Sequence, residues 1–111
     1  MVEDMKMKNI IISIAEKIRE GYHPEKILLY GSFAYGRPNK DSDIDLLIIK
    51  ETQERPIDRR IRVRQIVDVR QPVAFSPFVI TPEEVKRSLE KGDQFIKEIV
   101  EKGEVLYARA S

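Results

Sequence analysis

The sequence predicts a domain that combines helices with a sheet, of the α/β or α+β class, and three observations support this. Short apolar runs typical of strands alternate along the chain with longer amphipathic stretches typical of helices. Glycine and proline lie at the boundaries between these segments. The order is helix, strand, strand, helix, strand, helix, strand, without an internal repeat. We therefore expect a single domain over residues 1–111.

Four segments are predicted to be strands. Residues 26–30 and 42–50 are apolar runs, the second with a polar start. Residues 73–80 form the third, in which Pro77 indicates a bulge or an edge position. Residues 104–107 form the short last strand.

The first predicted helix has apolar residues at steps of three and four. Gly21 is expected to end it, and His23, before Pro24, to help close it. Its predicted buried face contains five residues: Met7, Ile11, Ile14, Ile18 and Tyr22.

Residues 51–70 fit two descriptions. The stretch alternates arginines with apolar residues as a strand would, although Gln65 and Ile66 interrupt that alternation. Pro56 could instead open a helix. We expect a helix that runs into an extended end, with these residues inward: Ile57, Ile61, Val63, Ile66 and Val67.

The last helical region begins at a capping box, TPEE at residues 81–84, with proline at the first helical position. Gly92 and Asp93 are expected to break or kink it, and Gly103 to end it. Its predicted inner face contains six residues: Val85, Leu89, Phe95, Ile96, Ile99 and Val100.

Composition excludes several kinds of site. The chain has no cysteine and a single histidine, so any metal must use oxygen ligands, which favours Mg²⁺ or Mn²⁺. With 20 basic and 19 acidic residues, its global charge gives no argument for nucleic-acid or membrane binding. No apolar run approaches the ~20 residues that cross a bilayer, and the N-terminus does not resemble a signal sequence. We expect a cytoplasmic protein.

Two acids open the second predicted strand. Asp43 and Asp45 are two residues apart, so both carboxylates point to one face of the strand. At a separation of ~7 Å, their repulsion is on the order of 2 kcal/mol unless a positive charge lies between them. A divalent cation would supply that charge.

The residues before this strand suit a phosphate. Gly31 allows a close backbone approach, and Ser32 offers a hydroxyl and is expected to open a short helix over residues 32–35. Gly36 ends that turn, and two cations follow: Arg37 and Lys40. Gly-Ser alone is found at many turns, and two spaced aspartates are found at many solvated strand ends. Their combination favours a metal–nucleotide site.

The stretch GSFAYGRPNKDSDIDLLI (residues 31–48) resembles the signature of the DNA polymerase beta-type nucleotidyltransferase superfamily: Gly-Ser, ten residues, then Asp-Ile-Asp. More narrowly, it resembles the minimal nucleotidyltransferase group of small stand-alone domains. The VITPEE step (residues 79–84) and the closing KGEVLY (residues 102–107) also fit, so the resemblance covers most of the chain.

The resemblance implies an α+β, α/β-like fold with a small mixed β-sheet flanked by helices, similar to the polymerase beta palm. It also implies transfer of a nucleoside monophosphate from a nucleoside triphosphate, with ATP expected, to an acceptor that the sequence does not identify. Asp43 and Asp45 would be catalytic and would bind Mg²⁺ or Mn²⁺. The candidate nucleotide-binding residues are Gly31, Ser32, Tyr35, Gly36, Lys40 and Ser42.

One position departs from the family pattern. The family has a third carboxylate on the third strand, and counting back from Thr81 places Ser76 there, with no acid between residues 71 and 80. A neutral hydroxyl is a poor metal ligand, and loss of a general base costs ~10²–10⁴-fold in rate. We therefore expect nucleotide binding to survive better than catalysis. Asp68 is the nearest upstream acid and a weaker candidate for this role.

Other candidates have structural explanations. The arginines of residues 55–70 could contact nucleic acid or an acidic partner, but the balanced charge favours a solvated face. Phe75 and Phe78 could stack a base, although core positions are expected for phenylalanines in strands. For Tyr35, ligand contact and a structural role are equally compatible with the sequence.

Three functional hypotheses follow. The chain could be a nucleotidyltransferase, a nucleotide-binding module whose catalysis is weakened at Ser76, or an antitoxin-like partner of a helical HEPN-type protein. The last is implied by the resemblance, because minimal nucleotidyltransferases often pair with such proteins. A chain of this length has little room for an acceptor-recognition domain, so we expect a protein partner or a homodimer under all three.

Overall fold

The computed structural model describes residues 4–68 and 74–110, which form a four-stranded sheet with helices on both faces. The strand order is β3-β2-β1-β4; β1 pairs antiparallel with β2 and β4, whereas β2 and β3 are parallel. The predicted mixed sheet is confirmed. The elements are α1 (Met5–Tyr22), β1 (Lys26–Tyr30), β2 (Ile44–Ile49), α2 (Pro56–Val67), β3 (Phe75–Ile80), α3 (Pro82–Glu90), α4 (Gln94–Lys102) and β4 (Glu104–Ala108).

The sheet separates two apolar cores. Alternate residues of β2 point to opposite faces: Ile44, Leu46 and Ile48 pack with α1 and α2. On the other face, Leu47 joins a smaller core that includes Ile96 and Ile99 of α4. We call these the α1/α2 face and the α4 face.

Helix α1 ends later than predicted. Gly21 lies within its last turn, and His23 closes the helix in a left-handed conformation, with φ of 53° and its N–H bonded to the Arg19 carbonyl. The expectation for Gly21 was therefore wrong and that for His23 is confirmed. A Cβ on Gly21 would lie 2.7 Å from Cγ2 of Ile66, so this glycine lets α1 pack closely against α2.

The ambiguous segment is helical from Pro56 to Val67, and Asp68 closes the helix with φ of 50°. Val63 and Val67 are fully buried as expected, but Ile57 and Ile61 are 58% and 47% exposed, contrary to prediction. The expected extended end, up to residue 70, lies outside the described residues, as does Val73 of the third predicted strand.

The last helical region forms two helices, as the glycine predicted. Thr81 and Glu84 form the complete capping box of α3, and the side chain of Asp93 caps α4. Ile96 and Ile99 are buried, whereas three residues predicted to face inward are 37–51% exposed: Leu89, Phe95 and Val100. The turn at Gly92 divides the region, so one helical stripe cannot continue across it.

Strand β3 forms one border of the sheet, and side chains of α2 cover part of it. The Ala74 and Ile80 carbonyls accept bonds from β2 and its flanks, so Phe75, Pro77 and Val79 direct their backbone groups outward. Arg64 donates to the Phe75 carbonyl at 2.9 Å, and Arg59 donates to the Val79 carbonyl at 3.5 Å. Pro77 has no N–H to offer. The predicted edge position of Pro77 is confirmed.

Candidate active site

The two aspartates lie at the start of β2. Asp43 is exposed and immediately precedes the strand, and Asp45 is half-buried at its second residue. Asp45 lies on the α4 face, because it alternates with the buried residues of the opposite face. Its direct neighbours in the sheet are Tyr30 of β1 and Ser76 of β3.

Gly31 makes room for the Asp45 carboxylate. Its φ of +76° is one that residues with a side chain rarely adopt. A Cβ built on Gly31 would collide with Oδ2 of Asp45. The glycine after β1 and the second aspartate of β2 therefore depend on each other, although they are fourteen residues apart in the sequence.

Residues 31–36 form a hydrogen-bonded turn rather than the predicted short helix. The Gly31 carbonyl accepts from the N–H groups of Ala34 and Tyr35 at 3.0 and 3.1 Å, and the Ser32 carbonyl accepts from Arg37. Gly36, with φ of +77°, ends the turn. The turn places Ser32 directly beyond Gly31 and leaves Tyr35 45% exposed.

The loop before β2 is held by its own side chains. The hydroxyl of Ser42 accepts from the Asn39 N–H at 2.8 Å, and the Asn39 side chain accepts from the Asp41 N–H at 2.8 Å. Lys40, Ser42 and Asp43 line a cavity of about 370 Å³. The structure therefore gathers three predicted site residues at one opening.

Burial and the neighbouring acid raise the pKa of Asp45. Burial is the larger cause, and the neighbouring Asp43 carboxylate is the smaller one. Burial, followed by the charge of Asp45, raises the pKa of Tyr30 to about 12. Both shifts reflect partial burial next to negative charge, and a cation would offset that charge.

The donor set fits a cation that is shared with a ligand. Within the described parts of the chain, no group of three His, Cys, Asp or Glu side chains could hold a metal ion. Two carboxylates leave most positions of an octahedral Mg²⁺ to be filled by water and phosphate oxygens, as is usual for this ion at nucleotide sites. Asp43 and Asp45 therefore suit a cation that arrives with a triphosphate.

Ser76 lies in register beside Asp45, on the same face of the sheet. Beyond it is a cavity of about 360 Å³, lined on the α2 side by Pro56, Ile57 and Arg60. Asp68, the other candidate acid, closes α2, whose buried side chains pack on the opposite face of the sheet. The structure therefore places a hydroxyl at the position beside Asp45.

The arginines of α2 are largely engaged within the chain. Arg59 is buried and donates to Glu84 at 2.7 Å and to the Glu54 carbonyl at 2.8 Å. Arg62 pairs with Glu54, and Arg55 pairs with Asp58. The solvated-face interpretation is wrong for Arg59. Arg70 lies outside the described residues.

Sequence reasoning considered Phe75 and Phe78 for base stacking but favoured core positions for them, and it placed Phe95 on a buried helix face. Phe75 is buried as expected, but Phe78 is 37% exposed on the α4 face, together with Tyr30 and Phe95. The spacing of Phe78, two residues after Ser76, could have placed both on one face. Its exposure depends on where α4 crosses the sheet, which no local pattern specifies.

One protein family matches most of the chain. The polymerase beta nucleotidyltransferase family matches residues 11–111. The chain belongs to this family. The predicted resemblance to minimal nucleotidyltransferases is thereby confirmed. This nucleotidyltransferase domain is 29% identical to a proposed protein adenylyltransferase of Methanocaldococcus jannaschii, over 97% of the domain and 76% of that protein.

Solved structures share the fold of this nucleotidyltransferase domain. A proposed nucleotidyltransferase of Sulfolobus solfataricus has a TM-score of 0.64 at 21% identity, covering 95% of the domain and 83% of that chain. A toxin–antitoxin complex with AMP-PNP has a TM-score of 0.64 at 18% identity, covering 89% and 73%. A mutant of the toxin–antitoxin MntA–HpeT has a TM-score of 0.62 at 15% identity. The predicted α+β nucleotidyltransferase fold is confirmed. No helix among the described residues is long and apolar enough to cross a membrane.

Proposed function

We propose that the domain transfers a nucleoside monophosphate from a nucleoside triphosphate, with ATP as the expected donor, to a hydroxyl group of another protein. The observation that carries this proposal is the position of Asp45, whose carboxylate lies against Gly31 and between Tyr30 and Ser76. Membership of the nucleotidyltransferase family supports the reaction type. The name of the Methanocaldococcus jannaschii relative supports a protein acceptor.

The residues have separate roles in this proposal. Asp43 and Asp45 would hold Mg²⁺ or Mn²⁺ together with the triphosphate, and the cation would supply charge neutralisation at the phosphates. Ser32, Gly36 and the turn between them would hold the phosphates that leave as pyrophosphate. Lys40 lines the same cavity as Asp43, and its positive charge would favour the triphosphate electrostatically.

The acceptor hydroxyl would approach from the Ser76 side. An in-line displacement brings the attacking oxygen opposite the leaving pyrophosphate, and Ser76 lies across Asp45 from the turn after β1. The acceptor oxygen bonds to the α-phosphorus, the bond to pyrophosphate breaks, and the proton passes to water. The cavity beyond Ser76 provides room for the acceptor side chain.

Ser76 makes slow turnover the expected behaviour. The hydroxyl cannot serve as the general base at neutral pH, so the acceptor loses assistance worth ~10²–10⁴-fold. Nucleotide binding would depend on the turn and on the acid pair, and the close packing of Asp45 against Gly31 supports this. A second candidate function is therefore a nucleotide-binding module that acts through a partner, as an antitoxin-like protein with a HEPN-type helical protein. The toxin–antitoxin neighbours in fold favour it.

Incubation of the purified domain with labelled ATP, Mg²⁺ or Mn²⁺ and candidate acceptor proteins tests the transfer. We expect label on an acceptor with the wild type and none with the Asp43→Asn/Asp45→Asn variant. Label transfer that is unaffected by the double substitution would contradict the proposal. Absence of transfer with intact Mg²⁺-dependent ATP binding would favour the binding module.

Ser76→Asp tests the role of the third strand. We expect the third carboxylate to raise the rate of label transfer by ~10²–10⁴-fold, without a comparable gain in ATP affinity. Ser88→Asp on α3 is the matched control, because it adds the same charge to a partly buried serine away from Asp45. Equal rates in the wild type and in both variants would show that Ser76 is not at the reacting position.

A further inference from the structure

Three aromatic side chains form a connected group on the α4 face. The rings of Phe78 and Phe95 are stacked, with an interplanar angle of 19° and centroids 6.3 Å apart. Tyr30 meets Phe95 edge to face at 82°, with centroids 5.6 Å apart. We call Tyr30, Phe78 and Phe95 the aromatic platform.

The platform remains open to solvent although a core lies beside it. Phe78 on β3 is 37% exposed and Phe95 on α4 is 51% exposed. Ile96 and Ile99, which lie on α4 with Phe95, are buried. The three rings contact one another, and Tyr30 is partly buried against the core, so Phe78 and Phe95 form the exposed part of the platform. An aromatic surface that is held in place and left uncovered is suited to stack a flat ligand.

The platform adjoins the acid pair. Tyr30 is the direct neighbour of Asp45 in β1, and Phe78 follows Ser76 by two residues on the same face of β3. One such step along a strand is ~6.6–6.8 Å. The platform therefore lies within the length of a nucleotide from the proposed reacting phosphate.

We propose that the aromatic platform stacks the base of the nucleoside triphosphate, which makes Phe95 and Phe78 determinants of nucleotide affinity. This inference rests on the proposed function. The turn after β1 would take the leaving phosphates, and the cavity beyond Ser76 would take the acceptor. The ribose and base then leave the α-phosphorus on a third side, toward α4, where the platform is. Every base has a flat face that can stack, so all nucleotides should bind. Purines should bind more tightly than pyrimidines, because their rings offer a larger stacking area.

Comparison of two ligands isolates the contribution of the base. Titration calorimetry with ATP and with inorganic tripolyphosphate, both in Mg²⁺, measures binding with and without a base. We expect Phe95→Ala to weaken ATP binding about tenfold, from the ~5- to 150-fold range of base stacking, and to leave tripolyphosphate binding unchanged. Phe95→Tyr retains a ring and should bind ATP as the wild type does. Leu89→Ala, which truncates another exposed apolar residue, is the control.

The outcomes are distinguishable. Equal ATP affinity in the wild type and Phe95→Ala overturns the inference but leaves the proposed function standing. Equal loss of ATP and tripolyphosphate binding also overturns it, because the ring would then support the phosphate site or the fold. If Phe95→Ala retains ATP binding but loses acceptor labelling, the platform belongs to the acceptor. A wild type that binds neither ligand would refute the proposed function itself.

Discussion

The ionised carboxylate of Asp45 lowers the stability of the nucleotide-free fold. Burial and Asp43 raise its pKa, so the ionised carboxylate is less favourable in the folded chain than in the unfolded chain. Stability from this group is fully present below the ordinary aspartate pKa and is lost as pH rises through the raised value. We therefore expect Asp45→Asn to raise the melting temperature of the free protein near pH 7.

Thermal denaturation at several pH values checks this expectation. The difference between Asp45→Asn and the wild type should vanish at acidic pH, where the wild-type carboxyl is already neutral. Asp41→Asn removes an exposed acid from the preceding loop and should change the melting temperature little. A lower melting temperature for Asp45→Asn near neutral pH would contradict the assigned cost.

Gly31 should be less replaceable than other glycines with positive φ. Gly31→Ala and Gly92→Ala both force alanine to φ near +77°, at about 1–2 kcal/mol each. Only at Gly31 does the new Cβ also meet the Asp45 carboxylate, since nothing lies within 4 Å of a Cβ on Gly92. We expect a larger loss of stability in chemical denaturation for Gly31→Ala, together with weaker Mg²⁺–ATP binding. Equal losses and unchanged binding would argue against the close contact.

The acid pair and the glycine before it could be found from the sequence, because charge in an apolar strand and a glycine after a strand are local signals. The contact between Gly31 and Asp45 could not, because it depends on the register of β1 against β2. The helical pattern of the sequence also did not predict that Phe95 is exposed. Helical periodicity gives the direction of a side chain from its helix axis, but not what lies opposite.

At the scale of elements, α2 is attached to β3 and α3 through Arg59. Its guanidinium is buried and contacts three groups: the Glu84 carboxylate and the carbonyls of Glu54 and Val79. Arg59→Ala removes these hydrogen bonds, one of them to a charged group, while the partly exposed Glu84 still accepts from the Thr81 N–H. We therefore expect a loss of about 1.5–3 kcal/mol. Arg62→Ala removes an exposed pair and should cost less than about 1 kcal/mol.

Urea denaturation of both variants measures this difference. Similar small losses for Arg59→Ala and Arg62→Ala would mean that the contacts of Arg59 do not anchor α2. The helix itself could be predicted only with an alternative, since arginines alternate with apolar residues along it. A long arginine side chain can extend from a helix to a neighbouring strand. The alternation of polar and apolar residues in the sequence does not predict such a contact.

At the scale of the whole molecule, a ligand held by β1, β2 and the turn between them should stabilise the complete fold. A ligand at a hundred times its dissociation constant adds about 2.7 kcal/mol when it binds the folded chain alone. We expect the melting temperature to rise with Mg²⁺–ATP concentration in the wild type and to stay constant in Asp43→Asn/Asp45→Asn. Differential scanning fluorimetry measures both, and an equal rise in the double variant would exclude the acid pair as the binding site.

The mixed sheet was predictable because the recognised motif implies it, whereas the strand order β3-β2-β1-β4 was not predicted. Counting back from the capping box placed Ser76 at the third-strand position, and the parallel register of β2 and β3 brings it beside Asp45. The two cores on either side of the sheet fix the register that brings Ser76 beside Asp45. Ile44, Leu46 and Ile48 of β2 lie in one core, whereas Asp45 on the other face is only half-buried, so a shift of one residue would move core side chains out of place.

The covered border of β3 limits how copies of this chain can join through their sheets. Arginine side chains already bond to two outward carbonyls there, and proline stands between them, so a further strand finds few backbone partners. Among the described residues, the β4 border is the one left for sheet continuation. Two copies that pair along their β4 strands leave no further edge strand free for pairing within the described part of the chain. Sheet extension between copies of this protein therefore ends at a dimer and does not continue into a fibre.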